Sequence, residues 1–367
     1  MPAPAPDASA LTVAVAGAAN FVAAAVLARL DGDRQVGRLI GLDCDEPQMP
    51  VAKLDYRPFD VRDPLLAVAL EGVGVVVHAA MASGPMDAED TMFAINVSGT
   101  RNLLEAAATA GVRRFVHISS AAVYGAHDAN AVPLEETAPL RANPDFSWAY
   151  HHMLAEELVA EWAQEHPDVS VTIFRPVTTL GPGADTFVAR HLEQPLLPIV
   201  RDNEPPVQLL HVDDLANAVH LAVVSDLPGV FNVAPDGWLS ARELAHLLGK
   251  RAVTIPEVVA FSAARSLWSH GVLGVPAGAL HYLMYPWVLS SERLHERGWA
   301  ATRSNREVVR EFAAEHRPYI SAGRWRVRRQ TVHRVGTAGV SALAYVTVAR
   351  VKTHRRRRAE RAGGRRR

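Results

Sequence analysis

The sequence of 367 residues holds a single cysteine, Cys44, which excludes an intramolecular disulfide framework and a zinc site built from cysteines. Lysine is almost as scarce. Only Lys53, Lys250 and Lys352 occur among 38 Lys and Arg, so chemistry that needs a lysine must draw on one of those positions. Net charge is nearly absent, at −1. There is no Gly-x-Ser-x-Gly elbow, no phosphate-binding lysine loop, and no histidine pair with metal-ligand spacing and a third group beside it. The first ten residues lack the basic start of a secretory signal and read as a disordered lead-in. One long uncharged run exists, from Leu11 to Ala28. Its β-branched beginning, the turn through Gly17 and Asn20 and the alanine-rich continuation read as strand, turn and helix. A membrane span is the poorer reading, because alanine contributes little to insertion.

What is present is a chain 49% hydrophobic, with ample material for a large core. The small net charge conceals two opposite halves. Residues 318–367 carry 15 Lys or Arg against one acid, Glu360, giving +14, and residues 1–317 carry −15. The basic end starts at Arg324-Trp325-Arg326-Val327-Arg328-Arg329 and passes through an uncharged stretch, Val335 to Ala349. It closes with the arginine runs at 355–358 and 365–367. As a helix the uncharged stretch reaches about 22 Å, short of the roughly 30 Å hydrocarbon core. Residues 324–367 therefore read as a contact for an anionic membrane surface, or as a solubilising tail folded back on the acidic body. Nucleic acid is the weaker partner, since no stacking-aromatic pattern accompanies the arginines. The expected location is cytoplasmic, peripheral at the inner face of the membrane.

Short apolar runs alternate with helical stretches. Strands are expected at Leu11–Ala16, Arg38–Leu42, Gly74–His78, Arg114–Ser119 and Ser170–Phe174, and helices at Asn20–Leu30, Asp63–Leu70, Asp90–Ala110 and Trp148–Gln164. Strands apolar on both faces, separated by helices, imply an α/β fold: a Rossmann-type doubly wound parallel sheet with ligands at its carboxyl edge. The texture changes beyond Leu180. The expected organisation is a lead at 1–10, a dinucleotide-binding domain at 11–178 and a smaller substrate lobe at 179–317. Residues 207–234 return in part to the first domain, and the tail is 318–367.

After the first strand comes Gly17-Ala18-Ala19-Asn20-Phe21-Val22-Ala23. A turn of this kind brings backbone N–H groups at a helix start to a pyrophosphate. Only Gly17 remains of a glycine-rich pattern, with Asn20 able to adopt a left-handed conformation and Ala23 small enough for close packing. Asp43 ends the second strand. Its carboxylate there would accept ribose hydroxyls and repel a 2′-phosphate, which favours NAD over NADP.

Further segments follow in order: Asp60-Val61, His78-Ala79-Ala80, Asn96-Val97-Ser98-Gly99-Thr100, Ile118-Ser119-Ser120-Ala121-Ala122-Val123-Tyr124-Gly125, Arg175-Pro176-Val177, Leu180-Gly181-Pro182-Gly183, His211-Val212-Asp213-Asp214 and Arg297-Gly298-Trp299. In this order the chain resembles the extended short-chain dehydrogenase/reductases, the NAD-dependent epimerase/dehydratase group, from about Leu11 to Phe312. The resemblance implies NAD held by Gly17, Asn20, Phe21, Val22, Asp43, Asp60, Val61, Ala79, Ala80, Asn96, Ser119, Tyr150, Pro176 and Val177. It also implies a homodimer through the helix that begins near Asn96. In such proteins a Tyr acts as general acid/base, a Ser orients the substrate oxygen, and a Lys four residues after the Tyr lowers its pKa. Ser120 and Tyr150 take the first two roles here, but Leu154 stands where the Lys is expected.

Three readings follow: a rerouted proton path using His151 or His152; weak or different catalysis by Ser120 and Tyr150 alone; and a dinucleotide-binding module without turnover. If catalytic, the reaction is oxidation or epimerisation at a secondary alcohol of a nucleotide sugar or an apolar alcohol. His117 reads as a core residue, and Asp213 as the cap of a helix after His211. The apolar and aromatic stretch Val258–Leu289 is expected to form the core and lid of the small lobe, or else to meet an apolar substrate or form a membrane-facing lid. Arg293 and Arg297 near it are candidates for an anionic substrate group.

Overall fold

A computed structural model describes residues 10–201 and 203–329. The uncharged stretch 335–349, the arginine runs after it, and the membrane and nucleic-acid contacts attached to them lie outside the described residues.

The chain forms β1 (Leu11–Ala16), α1 (Phe21–Asp31), β2 (Val36–Leu42), β3 (Leu54–Arg57), α2 (Leu66–Ala69), β4 (Val75–His78), α3 (Glu89–Phe93) and α4 (Gly99–Thr109). Next come β5 (Arg114–Ile118), α5 (Ser147–Glu165), β6 (Ser170–Pro176), β7 (Thr178–Leu180), α6 (Phe187–Glu193), β8 (Leu196–Val200), β9 (Leu209–His211), α7 (Val212–Ser225) and β10 (Gly229–Val233). The remainder holds α8 (Ala241–Leu247), β11 (Arg251–Ile255), α9 (Glu257–Ser269), α10 (Glu292–His295), α11 (Asn305–His316), β12 (Tyr319–Ala322) and β13 (Trp325–Arg328).

Seven strands make one parallel sheet in the order β10-β6-β5-β4-β1-β2-β3. Strand order reverses between β1 and β4, and the crevice at their carboxyl ends is where this topology places a ligand. The strands read as continuous apolar runs because both faces are covered. α1 and α7 pack on one side with Val13, Val15, Val75 and Val77, while α2, α4 and α5 pack on the other with Ala14, Ile40, Val76 and Phe115. Leu11–Ala28 is indeed strand, turn and helix. Among the described residues no helix is long and apolar enough to cross a membrane, and no cluster of three His, Cys, Asp or Glu is placed to hold a metal.

The small lobe uses short strand pairs, β7 with β9, β8 with β11 and β12 with β13, around a core of Leu180, Leu192, Leu209, Val308, Val309 and Phe312. The start of the basic segment belongs to this lobe. β12 and β13 form an antiparallel hairpin, in which Arg326 pairs with the buried Glu193 at 2.6 Å and Arg324 with Asp87 at 3.1 Å. Ser321 Oγ also donates to Glu193 Oε2 at 2.5 Å. Folded structure thus continues past Pro318, where the sequence suggested a tail. Two smaller expectations change as well. The N-cap of α7 is His211, whose Nδ1 accepts from the Asp213 N–H at 3.1 Å, and Asp213 lies in the first turn. Arg293 lies over the Phe231 ring, 5.3 Å from its centroid. Neither it nor Arg297 lines the large cavity described below.

Candidate active site

β1 ends in a turn that only glycine can make. Gly17 has φ +82°, and a Cβ there would lie 2.7 Å from the backbone of Ala79 and Ala80 at the end of β4. The two strand ends therefore close directly on each other. Asn20 is extended, with φ −80° and ψ 161°, and not left-handed as the sequence suggested, because it serves as the N-cap, and it locks the turn in two directions. Its Oδ1 accepts from the Ala23 N–H at 2.8 Å, capping α1, and its Nδ2 donates to Ala79 O at 2.6 Å. The N–H groups of Phe21 and Val22 have no partner among the described residues. They are free donors at the positive end of an eleven-residue helix. Asp43 lies beside this turn, with its Oδ2 accepting from the Ala19 N–H at 3.0 Å.

A cavity of about 760 Å³ opens at this point and runs between the sheet and the small lobe. Of the residues picked out from the sequence, Asn20, Phe21, Val22, Ala79, Ser119, Ser120, Pro176 and Val177 line it. Gly17, Asp43, Asp60, Val61, Ala80 and Asn96 do not. Gly17 and Asp43 adjoin its rim through the turn. Asp60 is held by Arg62 at 2.5 Å and by the Cys44 thiol at 3.4 Å, and the Arg62 bond keeps its carboxyl below the usual range. Val61 is buried against Leu66 and Leu103. Asn96 is fully buried; its Oδ1 accepts from Ala82 N at 2.7 Å, while its Nδ2 has no partner.

Tyr150 also stands off the cavity. It is half-buried against Ala122, Phe146 and Tyr282, and α5 lines the cavity with Trp148 and His152 instead. Helix phase is the reason: residues four apart share a face, whereas residue 150 is turned about 200° from residue 148. The row continues one turn on to Glu156. Trp148 Nε1 donates to Ala82 O at 2.7 Å, and its ring lies 4.2 Å from that of His152. His152 Nδ1 bonds to Trp148 O at 2.8 Å. A carbonyl can only accept, so Nδ1 carries the hydrogen and Nε2 presents its lone pair. Burial makes the imidazolium costly and pushes the His152 pKa down to about 4, so the ring is neutral near pH 7.

Ser120 follows β5 and caps a short 3-10 turn, Ala121–Tyr124, with its Oγ accepting from the Ala122 N–H at 3.2 Å. Its own hydrogen remains available to the cavity. Ser119 is held from behind. Its Oγ donates to Glu156 Oε2 at 2.6 Å, and Glu156 Oε1 accepts from Arg175 Nε at 2.8 Å and Nη2 at 2.5 Å. Arg175 reaches Tyr124 Oη at 2.6 Å, and Tyr124 donates to Asn232 Oδ1 at 2.8 Å. Burial pushes the Tyr124 phenol up to about 12, which fits a structural donor better than a base. Lys53 and Lys250 serve elsewhere, Lys53 on Asp33 O at 2.6 Å and Lys250 on Leu192 O and Gln194 O.

Trp148 was the cavity residue least visible in the sequence, in which His152 stood as one alternative proton route. The signal that could have found it is the i, i+4 row Trp148, His152, Glu156 counted back from a buried acid.

Comparison with known proteins agrees with this geometry. The model of the NAD dependent epimerase/dehydratase family matches residues 13–234. An uncharacterized protein of Mycobacterium tuberculosis is 30% identical over 253 residues, 66% of this chain and 67% of that protein. One from Sinorhizobium fredii is 31% identical over 258 residues, 66% and 62% of the two chains. Among solved structures, Thermus thermophilus UDP-glucose 4-epimerase with NAD superposes with a TM-score of 0.66 at 22% identity, covering 84% of this chain and 99% of that one. Streptomyces venezuelae dTDP-glucose 4,6-dehydratase with NAD gives 0.66 at 22%, covering 84% and 97%.

Proposed function

The chain belongs to the NAD dependent epimerase/dehydratase family, and on that premise we propose that it binds NAD and oxidises or epimerises a secondary alcohol in the cavity beside β5. The observation that carries this reading is the continuity of one cavity. It runs from the two free N–H groups at the start of α1 to Ser120 and His152. The residues suit the dinucleotide. Phe21 and Val22 offer amides to a diphosphate, and Asp43 offers a carboxylate beside the turn for ribose hydroxyls. Asp60 and Val61, which the resemblance assigns to the adenine, lie off the cavity, while Ala79, Pro176 and Val177 line it where the nicotinamide would lie. Bound there, NAD supplies the hydride acceptor.

The protein supplies the rest. Ser120 Oγ donates to the substrate oxygen and fixes its position. His152 lines the cavity with its Nδ1 hydrogen committed to Trp148 O, and in this reading its Nε2 takes the hydroxyl proton, the role for which the sequence suggested Tyr150.

Calorimetric titration is expected to show NAD binding at least about tenfold more tightly than NADP, and Asp43→Ser is expected to narrow that gap. Absence of NAD binding at millimolar concentration defeats the proposal, and tighter NADP binding removes Asp43 from its role. His152→Phe is expected to lower kcat/KM on a secondary alcohol by about 10²–10⁴-fold with NAD affinity unchanged. Turnover within about threefold of wild type excludes His152 as the proton acceptor.

A further inference from the structure

The cavity is much larger than the strip along the sheet, and its far wall is apolar. Leu192, Leu197, Leu244, Leu273, Leu280 and Leu283 line it from five different segments of the small lobe. The stretch Val258–Leu289 thereby divides in two. Leu273, Leu280, Leu283 and Val288 face the cavity, whereas Val258, Val259 and Leu267 on α9 face outward.

Charge on the wall is confined to Asp185, Arg190 and Arg324, and each is already answered. Arg190 Nε bonds to Asp185 at 2.8 Å, and Arg324 pairs with Asp87 at 3.1 Å while also donating to Leu273 O. Arg190 and Arg326 hold Asp185 ionised in spite of its burial. His152 and His191 also face the cavity, and burial drives both toward neutrality. Beyond the donors at the start of α1, no uncommitted cation faces the cavity among the described residues. A second diphosphate, such as that of a nucleotide sugar, would lie against leucines and leave its charges unpaired, at a cost of several kcal/mol.

We infer that the substrate is an uncharged, predominantly apolar secondary alcohol or its ketone, with the oxygen at Ser120 and the hydrocarbon body against the leucine wall of the small lobe. The inference rests on the catalytic reading of this cavity given above, and it differs from the substrates named for the solved relatives, which are nucleotide sugars.

The test uses the full chain with and without saturating NAD. The neutral fluorophore N-phenyl-1-naphthylamine is bound and then competed with decan-2-one or with UDP-glucose. The ketone is expected to displace the probe at a concentration at least about tenfold below that of UDP-glucose. Leu283→Asp, at a half-buried wall position, is expected to weaken probe and ketone binding by about tenfold or more, while Leu283→Met preserves both. Displacement by UDP-glucose at equal or lower concentration overturns the inference, as does failure of the ketone to bind. NAD calorimetry on the same samples separates the two claims. NAD binding without ketone binding leaves the cofactor reading intact and removes the apolar substrate, and ketone binding without NAD binding does the reverse.

Discussion

Between pH 6.5 and pH 4 this protein is expected to lose most of its stability, a loss that begins above the range in which ordinary carboxylates titrate. Four histidines produce the effect, three of them buried and His191 partly buried. His78 on β4 and His117 on β5 are paired in register, with rings 5.0 Å apart, and His152 and His191 face the cavity. Burial pushes His78 to about 3, and His152 and His191 to about 4, and it drives His117 well down. The neighbours add to this: His78, His117 and His152 repel one another's charge, and Lys250 opposes charge on His191. His117 also has no partner at either nitrogen, and His78 has only the Thr100 hydroxyl at 2.8 Å and the Ala80 N–H at 3.3 Å.

The sign follows from proton uptake. An unfolded histidine titrates near 6.5, so from there down to the folded pKa the unfolded chain binds protons that the native chain refuses. Stability is therefore full above about pH 6.5 and falls by about 1.4 kcal/mol per pH unit for each group. By pH 4 that is about 3 kcal/mol for each of His152 and His191, and similar for His78. The sum approaches the whole of an ordinary stability of about 5–15 kcal/mol. Asp33, Asp55 and Glu193, held low by their partners, extend the loss to lower pH. Urea unfolding at intervals from pH 7.5 to 4.5 measures the slope. A flat profile down to pH 5 would show that these rings are protonated at no cost in the native state.

The second large effect concerns Arg175→Met, expected to cost about 3–5 kcal/mol. Glu156 and Arg175 are 1% and 5% exposed. Removing the guanidinium leaves a buried carboxylate with only the Ser119 hydroxyl, and it takes a donor from Tyr124 Oη and Glu136 O. The penalty comes from the stranded charge, because a buried pair as a whole is close to neutral in free energy. The double variant Glu156→Met, Arg175→Met is therefore expected to regain most of the loss. Equilibrium unfolding of the two single variants and the double variant gives the coupling directly. A loss below about 1 kcal/mol for Arg175→Met alone would show that water reaches Glu156. Because Ser119 lines the cavity from this network, the single variants are also expected to bind NAD more weakly than the double variant.

Much of the architecture could be read from the chain because parallel strands covered on both faces need unbroken apolar runs. Leu11–Ala16 and Arg114–Ile118 appear in the sequence almost as they fold. β3 was invisible for the opposite reason: its four residues alternate Leu54, Asp55, Tyr56, Arg57 at the edge of the sheet, where the Asp55 carboxylate is paired with Arg38 and Arg57. The β12–β13 hairpin was hidden by its arginines, whose partners Asp87 and Glu193 lie more than a hundred residues away. In the site, the turn residues Gly17 to Val22 and Ser120 could be placed because their roles are set by local backbone geometry. The face of α5 could not. It is fixed by the bond from Ser119 to Glu156, a contact across 37 positions, and a shift of two residues exchanges Tyr150 for Trp148 and His152.

The last strand of the main sheet has a consequence for how the protein is made. β6 is flanked by β5 and by β10, and β10 is reached only after the chain has built α6, β8, β9 and α7. During synthesis β6 emerges as an open edge, and Tyr124, whose hydroxyl will donate to Asn232, waits with Arg175 alone for that partner. Until residues 229–233 leave the ribosome, the nascent sheet presents an apolar strand with unpaired amides, the kind of edge that recruits other chains. The interval when this protein is most exposed to aggregation is thus set by the length of the excursion between Pro176 and Gly229.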